Sequence, residues 1–195
     1  MADSTIVKSI VMDEREIERS LTRIAHQILE KNKGASSIAS VGIVTRGDLL
    51  AKRIVEIIEE IEGVRVPFGR LDISFYRDDF ASYVSPEVLS TDIMFDIDGR
   101  DIVLVDDVLF TGRTIRAALD ALMDIGRPET IQLAVLVDGG HRQLPIRADY
   151  VGKNVPSSAN ESVRLFLEET DGKSEVEILS IQDGQRAGSA PLGGE

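Results

Sequence analysis

Apolar residues recur along the chain in two patterns, short runs that predict strands and three-to-four-residue spacing that predicts amphipathic helices. Residues 5–12 form the first predicted strand, and a single apolar stripe follows it to about Asn32. Asp13 precedes Glu16 by three residues, which is the spacing of a helix capping box. The first helix is therefore predicted to begin after Asp13 and to pack its stripe against a core.

The same alternation continues through the rest of the chain. Gly126 and Pro128 predict the end of the third helix. Because strands alternate with helices, the pattern predicts an α/β fold with a mostly parallel, twisted sheet flanked by helices. Further strands are predicted at residues 38–44, 64–76, 101–105, 131–137, near 150, at 163–167 and 176–181, and further helices at 49–61 and 113–125.

Two stretches lack either periodicity. Residues 77–100 are polar and too long for an ordinary connection in a compact domain, so they are predicted to form a flexible lid loop. Residues 184–195 are dominated by Gly, Ala and Ser and are predicted to form a mobile tail. Residues 1–183 are of a length that one hydrophobic core can organise, which predicts a single domain.

Composition narrows the classes of function. The 195-residue chain has no cysteine and two histidines, which excludes disulfides, thiolate zinc sites and a cysteine nucleophile. A net charge of −12 argues against nonspecific coating of nucleic acid, which needs clustered Lys and Arg. No apolar run approaches the roughly 20 residues that span a bilayer, so we expect a cytoplasmic protein with no membrane partner.

The candidate chemistry lies where the predicted strand at 101–105 meets the next helix. Two acids follow the strand, and a turn with hydroxyl and glycine residues leads into the helix. Backbone N–H groups of such a turn converge on one point at a helix N-terminus, which suits a phosphate group. The residues concerned are Asp106, Asp107, Val108, Leu109, Phe110, Thr111, Gly112, Arg113 and Thr114.

The carboxylates of Asp106 and Asp107 would repel a phosphate group, so we expect them to contact another part of the ligand. Carboxylates at this position can bind ribose hydroxyls, hold magnesium through water, or stabilise positive charge on a sugar. All three roles describe a ribosyl phosphate ligand. The alternative is that the two acids are ordinary residues at a helix N-terminus. Thr45, Arg46 and Gly47 end another strand and, taken alone, form just a turn.

The string at residues 101–114 closely resembles the phosphoribosyl pyrophosphate (PRPP) signature of type I phosphoribosyltransferases. The resemblance implies that fold, with a small hood for the base, and Mg²⁺ bound together with PRPP. It also implies that Thr45, Arg46 and Gly47 bind the pyrophosphate. Arg77 lies on the hinge side of the lid, and the resemblance implies that it acts in catalysis with Asp106 and Asp107.

Further motifs extend the resemblance over roughly residues 5–182. The segments at 21–26, 126–128, 131–138, 140–142, 144–150 and 152–154 resemble the family of bifunctional pyrimidine operon regulators and uracil phosphoribosyltransferases. The resemblance implies transcription attenuation through a pyrimidine-operon leader mRNA in response to UMP or UTP. It also implies synthesis of UMP from uracil and PRPP, and a homo-oligomer of two or more copies.

The same resemblance assigns residues to RNA and to the base. Asp138, Tyr150 and Val151 are expected at the base, although an aromatic residue there can equally belong to the core. The RNA-binding positions are Thr22, Arg23, His26, Arg142, Arg147 and Lys153, and each can equally be a solvated surface residue.

Two positions depart from the family pattern, because relatives commonly have Arg where this chain has Gly139 and Lys where it has Val44. A lost charged hydrogen bond weakens binding of PRPP or UMP by about 1.5–3 kcal/mol. Two alternatives therefore stay open: a regulator with little or no transferase activity, and a phosphoribosyltransferase for another base.

Overall fold

The computed structural model describes residues 5–74, 76, 91–158 and 160–181. Its elements, in chain order, are β1 (Thr5–Met12), α1 (Glu14–Asn32), β2 (Ile38–Ile43), α2 (Gly47–Glu62), β3 (Phe68–Leu71), β4 (Asp101–Leu109), α3 (Arg113–Ile125), β5 (Thr130–Asp138), β6 (Tyr150–Asn154), β7 (Glu161–Phe166), α4 (Glu168–Asp171) and β8 (Glu175–Ile181). Among the helices of the described part, none is both long and apolar enough to cross a membrane.

The central sheet has five strands in the order β3-β2-β4-β5-β6, and every neighbouring pair is parallel. Helices α1 and α2 supply the core on one face, where Val103 and Val105 lie. Helix α3 covers the other face, where Ile102 and Leu104 lie. The predicted parallel α/β sheet is confirmed, and its middle strand β4 is covered on both faces.

Helices α1 and α3 lie where the sequence predicts them. The Glu16 N–H donates to the Asp13 carboxylate at 2.8 Å, and the Asp13 N–H donates to the Glu16 carboxylate at 3.1 Å, so the capping box forms. Both helices end at the residues expected from the pattern, Asn32 and Ile125. Short-range capping and apolar spacing were sufficient for these two elements.

The first predicted strand joins a second sheet. Strand β1 pairs antiparallel with β8, which pairs with β7, in the order β1-β8-β7. Thr5 lies opposite Ile181, so the pairing joins the two ends of the described chain. We call this sheet, together with α4, the hood. Helix α4 is absent from the pattern-based prediction because four residues are too short for helical periodicity.

The structure also changes the bounds predicted for the strand at 64–76 and the extent of the predicted lid loop. The strand predicted at 64–76 is regular only over Phe68–Leu71, because Asp72 turns back and accepts the Ser74 N–H at 2.8 Å. The last ten residues of the predicted lid loop are mostly exposed but make two contacts with the fold: Asp92 pairs with Arg70 of β3, and Ile97 is 2% exposed. The rest of that prediction, residues 77–90, and the predicted tail lie outside the described residues.

Candidate active site

Strand β4 continues four residues further than predicted, to Leu109, so the two acids lie in the strand and not in a turn. Pairing with β5 explains the difference, since Asp106 lies opposite Val135 and Val108 opposite Val137. Asp106 is 5% exposed, and Asp107 is half-buried. Both carboxylates therefore sit in the carboxyl-terminal part of the central strand, where open parallel sheets bind ligands.

Glycine brings the turn that precedes α2 against these acids. A Cβ on Gly47 would lie 2.5 Å from the Val105 carbonyl oxygen and 3.1 Å from the Asp106 Cα. A Cβ on Gly42 would lie 2.3 Å from the Asp48 Cα, so β2 and the start of α2 also touch backbone to backbone. Only residues without a side chain allow these approaches. The structure therefore brings Gly47, which ends the turn at Thr45 and Arg46, against the backbone of Asp106 in β4.

Thr45 is exposed, and the peptide bond between Val44 and Thr45 is cis. Arg46 points to the hood, where its Nη2 donates to the two Asp171 carboxylate oxygens at 2.9 and 3.2 Å. Burial would raise the pKa of Asp171, but hydrogen bonds from the Leu167 N–H, the Thr170 hydroxyl and Arg46 lower it to about 2. The partner of Arg46 is thus an ionised hood carboxylate.

A second ion pair joins the hood to α2. Arg53, two helical turns beyond Arg46, donates to the Glu169 carboxylate at 2.7 Å. Burial would raise the pKa of Glu169, but its hydrogen bond to Arg53 lowers it. Sequence reasoning missed both acidic partners, because no local pattern links α4 to a helix that lies more than a hundred residues earlier.

The segment between β4 and α3 carries the predicted phosphate contacts. We call residues 108–114 the phosphate loop. Its carbonyl groups are held from one side by residues 139–144: the Gly139 N–H donates to the Leu109 oxygen at 2.9 Å, and the Gln143 N–H donates to the Thr111 oxygen at 3.0 Å. Gly112 has φ +92° and precedes α3, so the loop bends there in a conformation that favours glycine.

Three further loop residues also lie where the sequence placed them. The Arg113 N–H donates to the Thr111 hydroxyl oxygen at 3.3 Å, which fixes the start of α3. Thr114 is half-buried in the first turn of α3. Phe110 contacts His141, with ring centroids 5.0 Å apart. Together, the loop and the helix start form a compact unit at the carboxyl end of β4.

A cavity of about 200 Å³ opens between the phosphate loop and the hood. It is lined by Val108 and Phe110 from the loop side and by Ser162 and Val163 from β7. The two hood residues were not predicted, because the antiparallel pairing that places β7 is long-range. The cavity is mainly apolar, and its lining residue Val108 directly follows the two acids in β4.

The residues expected to contact the base do not lie together in the structure. Asp138 ends β5 beside the phosphate loop, with one carboxylate oxygen accepting the Gly140 N–H at 3.0 Å and the other bonded to Arg142. Burial would raise the pKa of Asp138, but these two hydrogen bonds keep it below the usual range. Val151 is half-buried and packs on the α3 side of the sheet.

The expectation that Tyr150 contacts the base is wrong. Its ring is 4% exposed in the core beside α1, and its hydroxyl donates to the Gln132 side-chain oxygen at 2.5 Å. Asn32 completes this buried polar network with Gln132 at 3.0 Å. Tyr150 begins β6 opposite Ala134, well before the carboxyl end of the sheet, so strand register places it away from the acids.

Most of the predicted RNA contacts lie on one surface, formed by α1 and β6. Thr22, Arg23 and His26 are exposed on α1, and Arg23 donates to the Gly152 carbonyl of β6. Next to Gly152, Lys153 donates to the Val11 carbonyl at 2.6 Å. These contacts bring Arg23 of α1 beside Gly152 and Lys153 of β6.

The two remaining predicted RNA contacts follow β5. Arg147 is exposed, as a nucleic-acid contact requires. Arg142 points inward, and its guanidinium donates to two carbonyl groups of the phosphate loop, those of Leu109 and Phe110, and to the carbonyls of Gly140 and Ile146. The structure therefore contradicts a surface role for Arg142, because its donors are used inside the protein.

Among the described residues, no group of three or more His, Asp or Glu side chains could hold a metal ion by itself. Two neighbouring carboxylates, Asp106 and Asp107, lie at the site. Oxygen donors in this number suit Mg²⁺, which keeps several waters and usually takes one or two carboxylates together with phosphate oxygens of the substrate. The residues present therefore fit magnesium delivered with a phosphorylated ligand.

Comparison with known proteins agrees with this geometry. The phosphoribosyl transferase domain model matches residues 9–168. The bifunctional protein PyrR of Deinococcus radiodurans is 55% identical over 180 residues, which are 92% of this chain and 98% of the relative. The bifunctional protein PyrR of Caldicellulosiruptor bescii is 60% identical over 172 residues, 88% of this chain and 94% of the relative.

Solved structures with the same fold include two purine phosphoribosyltransferases. A hypoxanthine phosphoribosyltransferase from Staphylococcus aureus has a TM-score of 0.64 at 19% identity and covers 90% of this chain and 92% of its own. That of Trypanosoma cruzi has a TM-score of 0.67 at 21% identity, with coverages of 90% and 98%. Identities this low establish only the fold. Sequence and fold together place this chain in the phosphoribosyltransferase family, among the bifunctional PyrR proteins.

Proposed function

We propose that this protein converts uracil and PRPP to UMP and pyrophosphate. The observation that carries the proposal is the meeting of three parts at the carboxyl end of β4: two carboxylates, the Thr45–Gly47 turn, and the phosphate loop at the start of α3. An anion at the loop and a second anion at the turn would place the ribose beside the acids. This is the arrangement that a sugar with a 5′-phosphate and a 1-pyrophosphate needs.

The chemistry requires one bond to form and one to break. The uracil N1 atom bonds to C1′ of the ribose, the C1′–O bond to pyrophosphate breaks, and N1 loses its proton. Positive charge develops on the sugar during this exchange, so the carboxylates of Asp106 and Asp107 stabilise the transition state more than the substrate. Magnesium, when bound with PRPP, neutralises charge on the leaving pyrophosphate.

The residues around the acids have separate tasks. The phosphate loop binds the 5′-phosphate with backbone N–H groups, and Thr111 and Thr114 add hydroxyl donors. The cavity between Phe110 and Val163 accepts the base on its apolar side. The Thr45–Gly47 turn binds the pyrophosphate through its backbone N–H groups, while the Arg46 guanidinium is paired with Asp171 of the hood. Arg77, the predicted lid residue of the reaction, lies outside the described residues.

A product assay with uracil, PRPP and Mg²⁺ tests this proposal, with hypoxanthine and orotate in parallel arms. We expect UMP and pyrophosphate in equal amounts from uracil, and loss of the product when EDTA removes the metal. Asp107→Asn should lower kcat strongly. Asp101→Asn, a matched change at the opposite end of β4, should not. Formation of product only from another base, or from none, would refute the proposal.

We also propose that the protein binds a pyrimidine-operon leader mRNA and promotes attenuation when uridine nucleotides are bound. The specific support is the surface that joins α1 to β6, where Arg23 contacts Gly152 beside Lys153. These side chains, with Thr22 and His26, can donate to phosphates and to base edges of single-stranded loops. They place two cations and a histidine on one surface of a chain with a net charge of −12, and Lys153 also pairs with Glu16 there at 3.3 Å.

Binding of a leader RNA, measured with and without UMP, tests this second activity. Arg147→Ala should weaken RNA binding and leave the KM for PRPP as it is, because the Arg147 side chain is exposed to solvent. RNA affinity that does not respond to UMP would contradict coupling between the two ligands. A scrambled RNA of the same length controls for nonspecific attraction.

A further inference from the structure

Arg142 lies inside the protein between the phosphate loop and the end of β5. Its Nη1 donates to the carbonyl oxygens of Phe110 at 2.9 Å, Leu109 at 3.2 Å and Gly140 at 2.9 Å. Its Nε donates to the Ile146 oxygen at 3.0 Å. The remaining nitrogen, Nη2, pairs with the Asp138 carboxylate. All three nitrogens are therefore used within the fold, and the side chain is 24% exposed.

We propose that Arg142 is a positioning residue that holds the phosphate loop in its anion-binding conformation. The proposal rests on the proposed function, since it assigns the 5′-phosphate of PRPP or UMP to that loop. Arg142 acts through backbone groups of the loop and touches no substrate. Its role is to fix the orientation of the peptide groups of the loop.

The argument follows from the geometry of the peptide bond. In a trans peptide, the carbonyl of one residue and the N–H of the next point in opposite directions. The carbonyls of Leu109 and Phe110 point to Arg142, and the carbonyl of Thr111 points to the N–H groups of Gln143 and Leu144. The N–H groups of Phe110, Thr111 and Gly112 must therefore point away from residues 139–144. Successive N–H groups aligned in this way form an anion-binding concavity.

Arginine suits this task better than lysine. A guanidinium offers five N–H donors in a rigid plane, whereas an ammonium offers three donors at one point on a flexible stem. The four carbonyls and one carboxylate around Arg142 are spread along the edges of such a plane. Asp138 is held ionised by its hydrogen bonds, so it offsets the charge of the half-buried guanidinium. The loop is thus anchored without adding a net charge beside the phosphate.

Steady-state kinetics on the full-length protein test the proposal with Arg142→Lys. We expect the KM for PRPP and the Kd for UMP, the latter by calorimetry, to rise roughly tenfold or more, because several charge-assisted hydrogen bonds are lost. The KM for uracil should stay within twofold. A variant that is merely destabilised would lose active protein, so kcat would fall while both KM values stayed the same; that result would overturn the proposal.

Arg127→Lys is the matched control. Arg127 also donates from Nη1 to two carbonyls, those of Met123 and Gly126, but at the far end of α3. The Arg127→Lys variant should leave both KM values and the Kd for UMP unchanged. If Arg142→Lys is too unstable to purify, Arg142→Gln is measured in the same way, with circular dichroism to select folded protein.

The outcomes separate this proposal from the one it depends on. If the wild type binds neither PRPP nor UMP, the proposed function fails and the role of Arg142 fails with it. If the wild type binds both and Arg142→Lys binds them equally well, only the positioning role is refuted. Loss of RNA affinity in Arg142→Lys with unchanged PRPP and UMP binding would show that Arg142 contacts RNA instead.

Discussion

Replacement of Gly47 by alanine would place a methyl group inside the contact between α2 and β4. The new Cβ would lie 2.5 Å from the Val105 carbonyl oxygen, far closer than carbon and oxygen can approach without displacement. Strand β4 is paired on both sides, with β2 and β5, so it cannot move away. The start of α2 must shift instead, and Thr45 and Arg46 move with it.

The size of the effect follows from the cost of forcing extra volume into a packed interior, about 1–3 kcal/mol. For a chain of this length, each kcal/mol lowers the melting temperature by about 2–4 °C, so Gly47→Ala should melt roughly 2–12 °C below the wild type. Because the displaced turn is the proposed pyrophosphate contact, the Kd for PRPP should rise in the same variant.

Thermal unfolding and PRPP titration measure the two effects. Gly139→Ala is the comparison: the new Cβ would meet a side-chain atom of Phe110 at 3.3 Å, and a ring can give way where backbone cannot. It should melt closer to the wild type than Gly47→Ala does. If Gly47→Ala melts with the wild type and binds PRPP as tightly, the close approach of α2 to β4 does not exist as described.

Two further substitutions test contacts away from the phosphate loop. Burial raises the pKa of Tyr150 to about 12, so its hydroxyl is a neutral donor. Tyr150→Phe should lower the free energy of unfolding, measured in urea, by about 0.5–1.5 kcal/mol. An altered KM for uracil in this variant would contradict the placement of Tyr150 in the core. Asp171→Asn should destabilise the protein near neutral pH. Because the pKa of Asp171 is lowered to about 2, its stabilisation is complete above the ordinary carboxyl pKa of about 4 and is lost as pH falls through 2. The difference in unfolding free energy between wild type and Asp171→Asn should therefore shrink over that range, and a constant difference would refute the role of the ionised carboxylate.

The sequence alone determined the local elements and predicted the chemistry of the loop. Helix α1 follows from one capping box and one apolar stripe, and α3 follows from its spacing and from Gly126. Such features depend on residues within one or two helical turns of each other, so they can be predicted without knowledge of the rest of the fold. The two acids, the threonines and Gly112 likewise predict a ribosyl phosphate site by their types and order.

The tertiary structure decided what depends on distant contacts. Strand β1 joins the hood because its partner is β8 at the other end of the described chain, and Tyr150 enters the core because of its register beside β5. Arg142 resembles a surface residue in the sequence, yet its donors meet carbonyls some thirty residues earlier in the chain. Periodicity and composition describe neighbours along the chain, whereas strand pairing and buried hydrogen bonds depend on which distant segments meet in space.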